Sequence, residues 1–175
     1  MPTSDRENKG WALDRIREIR PRSVLDVGPG SGTYSDLARK HTPGARWMAV
    51  EAWAPYIPQF NLWSKYDHVA VADIRHCDLQ SLHEPADLAI IGDVLEHMTK
   101  VEARGVLARL MAWADNVLVC IPLVHLDQDA YEGNWFEIHR DHWTFDEMAE
   151  ELSDGLVASK RGDVLGYFLW SCDPS

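Results

Sequence analysis

The sequence predicts an α/β protein with a doubly wound, Rossmann-like sheet, mostly parallel, of seven strands with one antiparallel edge strand. Three observations carry that expectation. Short β-branched runs alternate with segments of helical periodicity along most of the chain. The strand runs are continuously apolar, as strands covered on both faces are. The last two strand-like runs follow each other with no helix between them, which suits a strand returning antiparallel at one edge. A length of 175 residues suits a single domain, 1–175.

Taken in order, the elements begin with Ser4 and Glu7, three residues apart as in a capping box. Trp11, Leu13, Ile16 and Ile19 then recur at helical spacing, so a helix is expected over about residues 5–20 of an N-terminal segment 1–22. Pro21 stops it. Residues 23–27 read as a strand running into glycines. Tyr34, Leu37, Ala38 and His41 place a helix over 33–41, ended by Pro43 and Gly44. Strands follow at 47–51, 68–72, 87–91 and 116–121. Between the last two, Thr99 and Glu102 form a second capping box, with Val101, Leu107, Leu110, Met111 and Ala114 expected on one buried helix face. A short helix over 144–152 and strands at 156–158 and 164–170 complete the chain. Residues 123–143 show no periodicity, and a connection of that length is usually functional or disordered.

The chain has 28 acidic and 17 basic residues, a net charge of -11 with histidine neutral. Such a surface disfavours phosphate backbones and anionic membranes, so nucleic acid is an unlikely partner. The acidic excess concentrates in residues 127–154, where Arg140 is the only base, whereas residues 1–22 carry more basic than acidic side chains. Cys77, Cys120 and Cys172 are far apart and form no C-x-x-C pair, which reads as free thiols in a reducing compartment. No apolar run is long enough to span a bilayer, and no leader follows Met1, so a cytoplasmic protein is expected.

The strongest motif is Asp26-x-Gly28-Pro29-Gly30-x-Gly32-Thr33-Tyr34, a strand feeding a glycine turn that opens a helix. Glycine lets backbone turn sharply and approach a ligand with no Cβ in the way. A nicotinamide fingerprint, G-x-G-x-x-G, needs its third glycine at position 33, where this chain has Thr33. Asp26, before the first glycine, suits a cationic amine and would not help a pyrophosphate. Glu51 ends the second strand, where a carboxylate can accept both hydroxyls of a ribose. Asp73 and Ile74 follow the third strand, placed for an exocyclic adenine amine and a ring face.

With these residues the sequence resembles the class I S-adenosylmethionine-dependent methyltransferases, over most of its length. The matching segments are 24–34, Glu51, Asp73 and the stretch 92–98 after the fourth strand, Gly92-Asp93-Val94-Leu95-Glu96-His97-Met98. The resemblance implies S-adenosylmethionine across the ends of the first, second and fourth strands. Asp26 and the glycines would face its methionine part, Glu51 with Ala52 and Trp53 the ribose and adenosine, Asp73 and Ile74 the adenine, and Gly92, Asp93 and Val94 the cofactor and acceptor mouth.

Methyl transfer from a sulfonium requires an acceptor held in line and, for oxygen or nitrogen, a base. Asp93, His97, His139 and His142 are the catalytic candidates, with a small-molecule or sugar oxygen as the first choice of acceptor and a specific nucleic-acid end as the runner-up. The run Asp93-x-x-Glu96-His97 also resembles the metal-binding element of ubiquinone-pathway and small-RNA O-methyltransferases. That resemblance implies a divalent ion such as Mg²⁺ or Mn²⁺ on Asp93, Glu96, His97 and His142, although Asp93 stands where those families have Glu. Trp135, Phe136 and Trp143 either wall an acceptor pocket or pack beneath the loop. His41, His68, His76, His83 and His125 read as surface or packing residues. A non-catalytic cofactor-binding module and a nicotinamide oxidoreductase are the competing classes. A monomer or a homodimer would satisfy the sequence equally.

Overall fold

A computed structural model describes residues 5–82 and 85–174. Ser4 and His83, two of the residues named above, lie outside them. Seven strands form one sheet: β1 (Ser23–Val27), β2 (Arg46–Glu51), β3 (His68–Val71), β4 (Leu88–Gly92), β5 (Asn116–Pro122), β6 (Leu156–Arg161) and β7 (Leu165–Ser171). Their order is β3-β2-β1-β4-β5-β7-β6. The first five pair in parallel, and β7 runs antiparallel between β5 and β6. The mixed edge expected from the sequence is therefore present, with the reversed strand one position in and β6 outermost. The chain leaves β1 toward β2 on one side and reaches β4 on the other, so the strand order reverses at β1, where a crevice opens in such sheets.

Helices cover both faces. Packed on one are α1 (Lys9–Ile19), α2 (Thr33–Ala38), α3 (Tyr56–Gln59) and α4 (Leu62–Lys65), which bury Ile16, Trp47, Leu88, Leu118 and Tyr167. On the other lie α5 (Leu79–Leu82), α6 (Lys100–Trp113) and α7 (Phe145–Glu151), over Leu25, Met48, Ile91, Val119 and Phe168. Burial of this kind contributes about 1.5–3 kcal/mol for each large apolar side chain. It also explains why the strands show no polar alternation.

Three local expectations change. The first helix starts at Lys9, after Asn8 in a left-handed conformation, rather than near residue 5. Glu7 is committed elsewhere: its carboxylate accepts the backbone N–H groups of Asp163, Val164 and Leu165, and its carbonyl accepts the Tyr167 hydroxyl. It thereby fastens the N-terminal segment to the β6–β7 turn. The second helix gives way to a 3-10 turn at Arg39–His41. On α6, the Thr99–Glu102 capping box forms as expected, but Val101 is 78% exposed, and Ala103 and Val106 take the buried face instead. Val101 lies in the first turn, where apolar spacing alone does not fix the stripe.

Candidate functional site

At the carboxyl ends of β1, β2 and β4 lies a cleft of about 900 Å³ including its open mouth. Its wall on the β1–β2 side is mostly backbone and small side chains: Gly28, Pro29, Gly30 and Ala52, with Thr33 and Tyr34 from the start of α2. Gly28 has φ +61, and a Cβ there would stand 2.6 Å from Val94 Cγ2, so the turn requires glycine. Gly32 also has positive φ, but it is not among the lining residues and faces the Lys65 side chain.

Glu51 closes the end of β2. One carboxylate oxygen accepts Gly30 N–H at 3.3 Å and the other accepts Trp53 N–H at 2.8 Å, so a single side chain spans the glycine turn and the turn after β2. Burial pushes its pKa up to about 7 against the lowering effect of those two bonds. Each oxygen retains a further lone pair for a hydroxyl donor. Asp73 and Ile74 line the cleft beyond it. Arg75, which the sequence reading did not single out, lines it too. Its guanidinium forks onto Asp73 at 2.7–3.0 Å and reaches Glu102 at 3.0 Å. Burial raises the Asp73 pKa, but its bonds to Arg75 outweigh that and hold it below the ordinary carboxylate value. Arg109 on α6 donates to the carbonyls of Ile74, Arg75 and Cys77 and so holds this turn in place.

Two further predicted cofactor residues sit differently. Asp26 is 1% exposed and lies beneath the cleft rather than on its wall; it accepts the Tyr66 hydroxyl at 2.6 Å, and burial pushes its pKa up to about 7. The side chain of Asp26 points to the other face of β1 from Val27, which does line the cleft, as strand alternation dictates. Trp53 is half-buried and also off the wall.

The opposite wall is built from side chains. Gly92, Asp93, Val94, His97 and Met98 come from the end of β4 and the turn after it, and Asn134, Phe136 and Glu137 come from the connection 123–143. Asp93 has φ 54, a left-handed conformation rare outside glycine, and its carboxylate accepts the Cys120 thiol at 3.9 Å. The Glu96 carbonyl accepts the N–H groups of Arg140 at 2.7 Å and Asp141 at 3.2 Å, which binds the long connection to the β4 end. Glu137, buried, accepts the Tyr56 hydroxyl at 3.0 Å.

Of the predicted catalytic residues, Asp93 and His97 line the cleft, His139 lies against His97 without lining it, and His142 does neither. The His97 and His139 rings lie 5.0 Å apart between centroids. The His97 Nδ1 is 3.4 Å from the Ile138 carbonyl, and the His139 Nδ1 is 2.6 Å from that of Leu126. Burial drives the His97 pKa down to about 4, so the ring is neutral at physiological pH. His142 stacks edge-on with His125 instead and does not line the cleft. Glu96, His97 and His139 each offer a ligand atom within 4.8 Å of the others. Glu96 is 4% exposed, and its Oε2 has no hydrogen-bond partner among the described residues. Burial, with Asp93 and Glu137 nearby, raises its pKa well above the ordinary range. The metal set of the sequence reading is thus redrawn: His139 takes the place of His142, and Asp93 lies outside the cluster. The aromatics divide as well. Phe136 lines the cleft, Trp135 is 69% exposed beside it, and Trp143 is buried in the core.

No protein-family model and no curated protein matches this sequence. Solved structures do match. TehB from Haemophilus influenzae aligns with a TM-score of 0.70 at 14% identity, over 94% of this chain and 62% of that one. The N-terminal domain of EvdMO1, crystallised in the presence of SAH (S-adenosylhomocysteine) and D-fucose, aligns at 0.69 and 12% identity, over 97% and 85%. An O-methyltransferase family protein from Burkholderia thailandensis aligns at 0.64 and 15% identity over 93% of this chain, which spans 55% of that protein's length. What these proteins share with this chain is the fold.

Proposed function

From that fold and the two-walled cleft, we propose that the chain is an S-adenosylmethionine-dependent methyltransferase acting on an oxygen of a small-molecule acceptor. The observation that carries the reading is Glu51. It is a buried carboxylate fixed across the glycine turn at the switch point, opposite a neutral histidine on the same cleft. The glycine wall offers close backbone approach, Glu51 offers acceptors for a ribose diol, and Ile74 offers an apolar face for an adenine ring. Asp73 offers carboxylate oxygens at the adenine edge, oriented by Arg75. S-adenosylmethionine, when bound, supplies an electrophilic methyl group on a sulfonium. The remaining work belongs to the chain. Phe136 and Met98 wall the acceptor side, while Asn134 and Glu137 supply polar contacts that orient the acceptor. His97, in the tautomer whose Nδ1–H donates to Ile138 O, keeps the Nε2 lone pair to take the hydroxyl proton.

A second reading is favoured by the unpartnered Glu96 Oε2. Glu96, His97 and His139 would hold a divalent cation, a carboxylate and two imidazoles being a donor set suited to first-row transition metals. Such an ion supplies Lewis acidity that lowers the pKa of a bound hydroxyl. His97 would then be a ligand rather than the base, so the two readings exclude each other.

A labelled-methyl transfer screen over sugars, phenols, small amines and short RNA, with and without EDTA and Mn²⁺, tests both. Transfer to a hydroxyl that survives EDTA supports His97 as base. Transfer lost to EDTA and restored by Mn²⁺ supports the metal reading. Labelled RNA or amine, with no labelled small-molecule hydroxyl, overturns the acceptor assignment. Binding of the cofactor with no transfer to any acceptor leaves a non-catalytic binding module as the better description.

A further inference from the structure

At the other end of the sheet, where the parallel strands begin, a second concavity is lined by Arg17, Arg20, Pro21, Arg22, His41, Thr42, Pro43, Gly44 and Ala45. The chain assembles it from the end of α1, the entry to β1 and the turn before β2, and Ser23 pairs with Arg46 at its inner edge. Three arginines and a histidine thus line one concavity on a molecule whose net charge is -11. Lys40 and Arg46, both exposed, flank it.

Nearby carboxylates neutralise this cluster only in part. Arg17 lies 3.6 Å from Asp14 and 3.0 Å, through Nη2, from the His41 ring; Arg22 lies 3.4 Å from Asp87. Arg39, also close in sequence, is taken up by Asp67 and the Lys65 carbonyl. Arg20 is exposed and makes no side-chain hydrogen bond or ion pair among the described residues. It is the helix C-cap, left-handed at φ 53, with Pro21 next in the chain preventing helix from continuing. Burial first, and then the charges of Arg17 and Lys40, hold the His41 pKa below its ordinary value.

We propose that this basal concavity binds the phosphate group of a small molecule, independently of the methyl-transfer cleft. Guanidinium forks match phosphate oxygens in pairs, and Arg17, Arg20 and Arg22 can present several such forks to one tetrahedral anion. Divalent negative charge fits the site better than a carboxylate because one monoanion would leave the cluster under-compensated. A small ligand fits better than a nucleic-acid backbone because acidic surface would repel an extended polyanion.

Calorimetric titration of the full chain with sodium pyrophosphate at low ionic strength tests the assignment. Saturable 1:1 binding is expected, weakened about tenfold or more by Arg20→Glu and by Arg17→Gln. Lys160→Gln, on β6 at the far edge of the sheet, is expected to leave it unchanged. Arg20 is exposed and unpaired, so its substitution is compatible with folding, and an unaltered circular dichroism spectrum verifies that. No saturable binding to the unsubstituted chain overturns the proposal, as does binding indifferent to both arginine substitutions. A single-stranded RNA 12-mer that binds more tightly than pyrophosphate overturns the small-ligand assignment.

Discussion

On one side of the cleft the wall is mostly backbone, with Gly28, Gly30 and Ala52 approaching closely and Glu51 tying two turns together. On the other it is side chain, with His97, Phe136 and Glu137 meeting across a contact between segments some forty residues apart. The first wall is held by backbone geometry and the Glu51 tie and has little freedom in what it binds. The second is set by how one long connection is pinned to the Glu96 carbonyl, and its chemistry depends on which side chains that pinning delivers. In the proposed enzyme the cofactor would be read by the rigid wall and the acceptor by the variable one.

This division can be broken experimentally. The largest effect is expected from His97→Ala, which should lower kcat by about 10²–10⁴ while leaving S-adenosylhomocysteine affinity nearly unchanged. A comparable loss of cofactor affinity would mean that the two walls are not separable. Glu51→Ala should act in the other direction, weakening S-adenosylhomocysteine about 10–100-fold in calorimetry, as expected for removing hydrogen bonds to a buried charged group.

A smaller effect concerns pH. Asp26 and Glu51 both have folded-state pKa values raised to about 7, above their ordinary values of 3.8 and 4.5. The folded state therefore binds more protons than the unfolded chain, and stability contributed below those ordinary values is lost as pH rises through about 7. His97 has the opposite sign, its folded pKa being depressed, so its penalty is confined to pH below 6.5 and fully developed only below about 4. Between pH 6.5 and 8 the acids prevail. The Tm of the ligand-free protein is expected to fall across that window, and Glu51→Gln should flatten the slope. The smallest effect is expected from His142→Ala. It lies outside the cleft, and turnover should stay within about twofold of the unsubstituted chain, the range of an ordinary surface change. A large loss there would return His142 to the site.

The same contrast governs what the sequence made legible. The glycine turn, Glu51 and Asp73 could be read because each stands at a strand end that a short local run of residues marks. The parallel strands were legible because burial on both faces leaves a continuous apolar run. Asp26 was harder: alternation along β1 turns its carboxylate toward Tyr66, a partner 40 residues away. The choice of His139 over His142 depends on Arg140 and Asp141 N–H groups bonding one carbonyl, which no local pattern encodes. Arg75 and Arg109 escaped notice for the same reason, since an isolated arginine carries no periodic signal. The Asp73-x-Arg75 spacing, with Arg75 two residues past the acid, was the one local hint.

The claim on which everything else depends is that the glycine wall and Glu51 bind an adenosyl sulfonium cofactor or its product. Thermal unfolding with S-adenosylhomocysteine, and separately with NAD, tests it directly. At a concentration about 100 times its Kd, S-adenosylhomocysteine should stabilise the chain by about 2.7 kcal/mol and raise Tm by several degrees, and NAD should leave Tm where it was. A rise with NAD and none with S-adenosylhomocysteine would contradict the account.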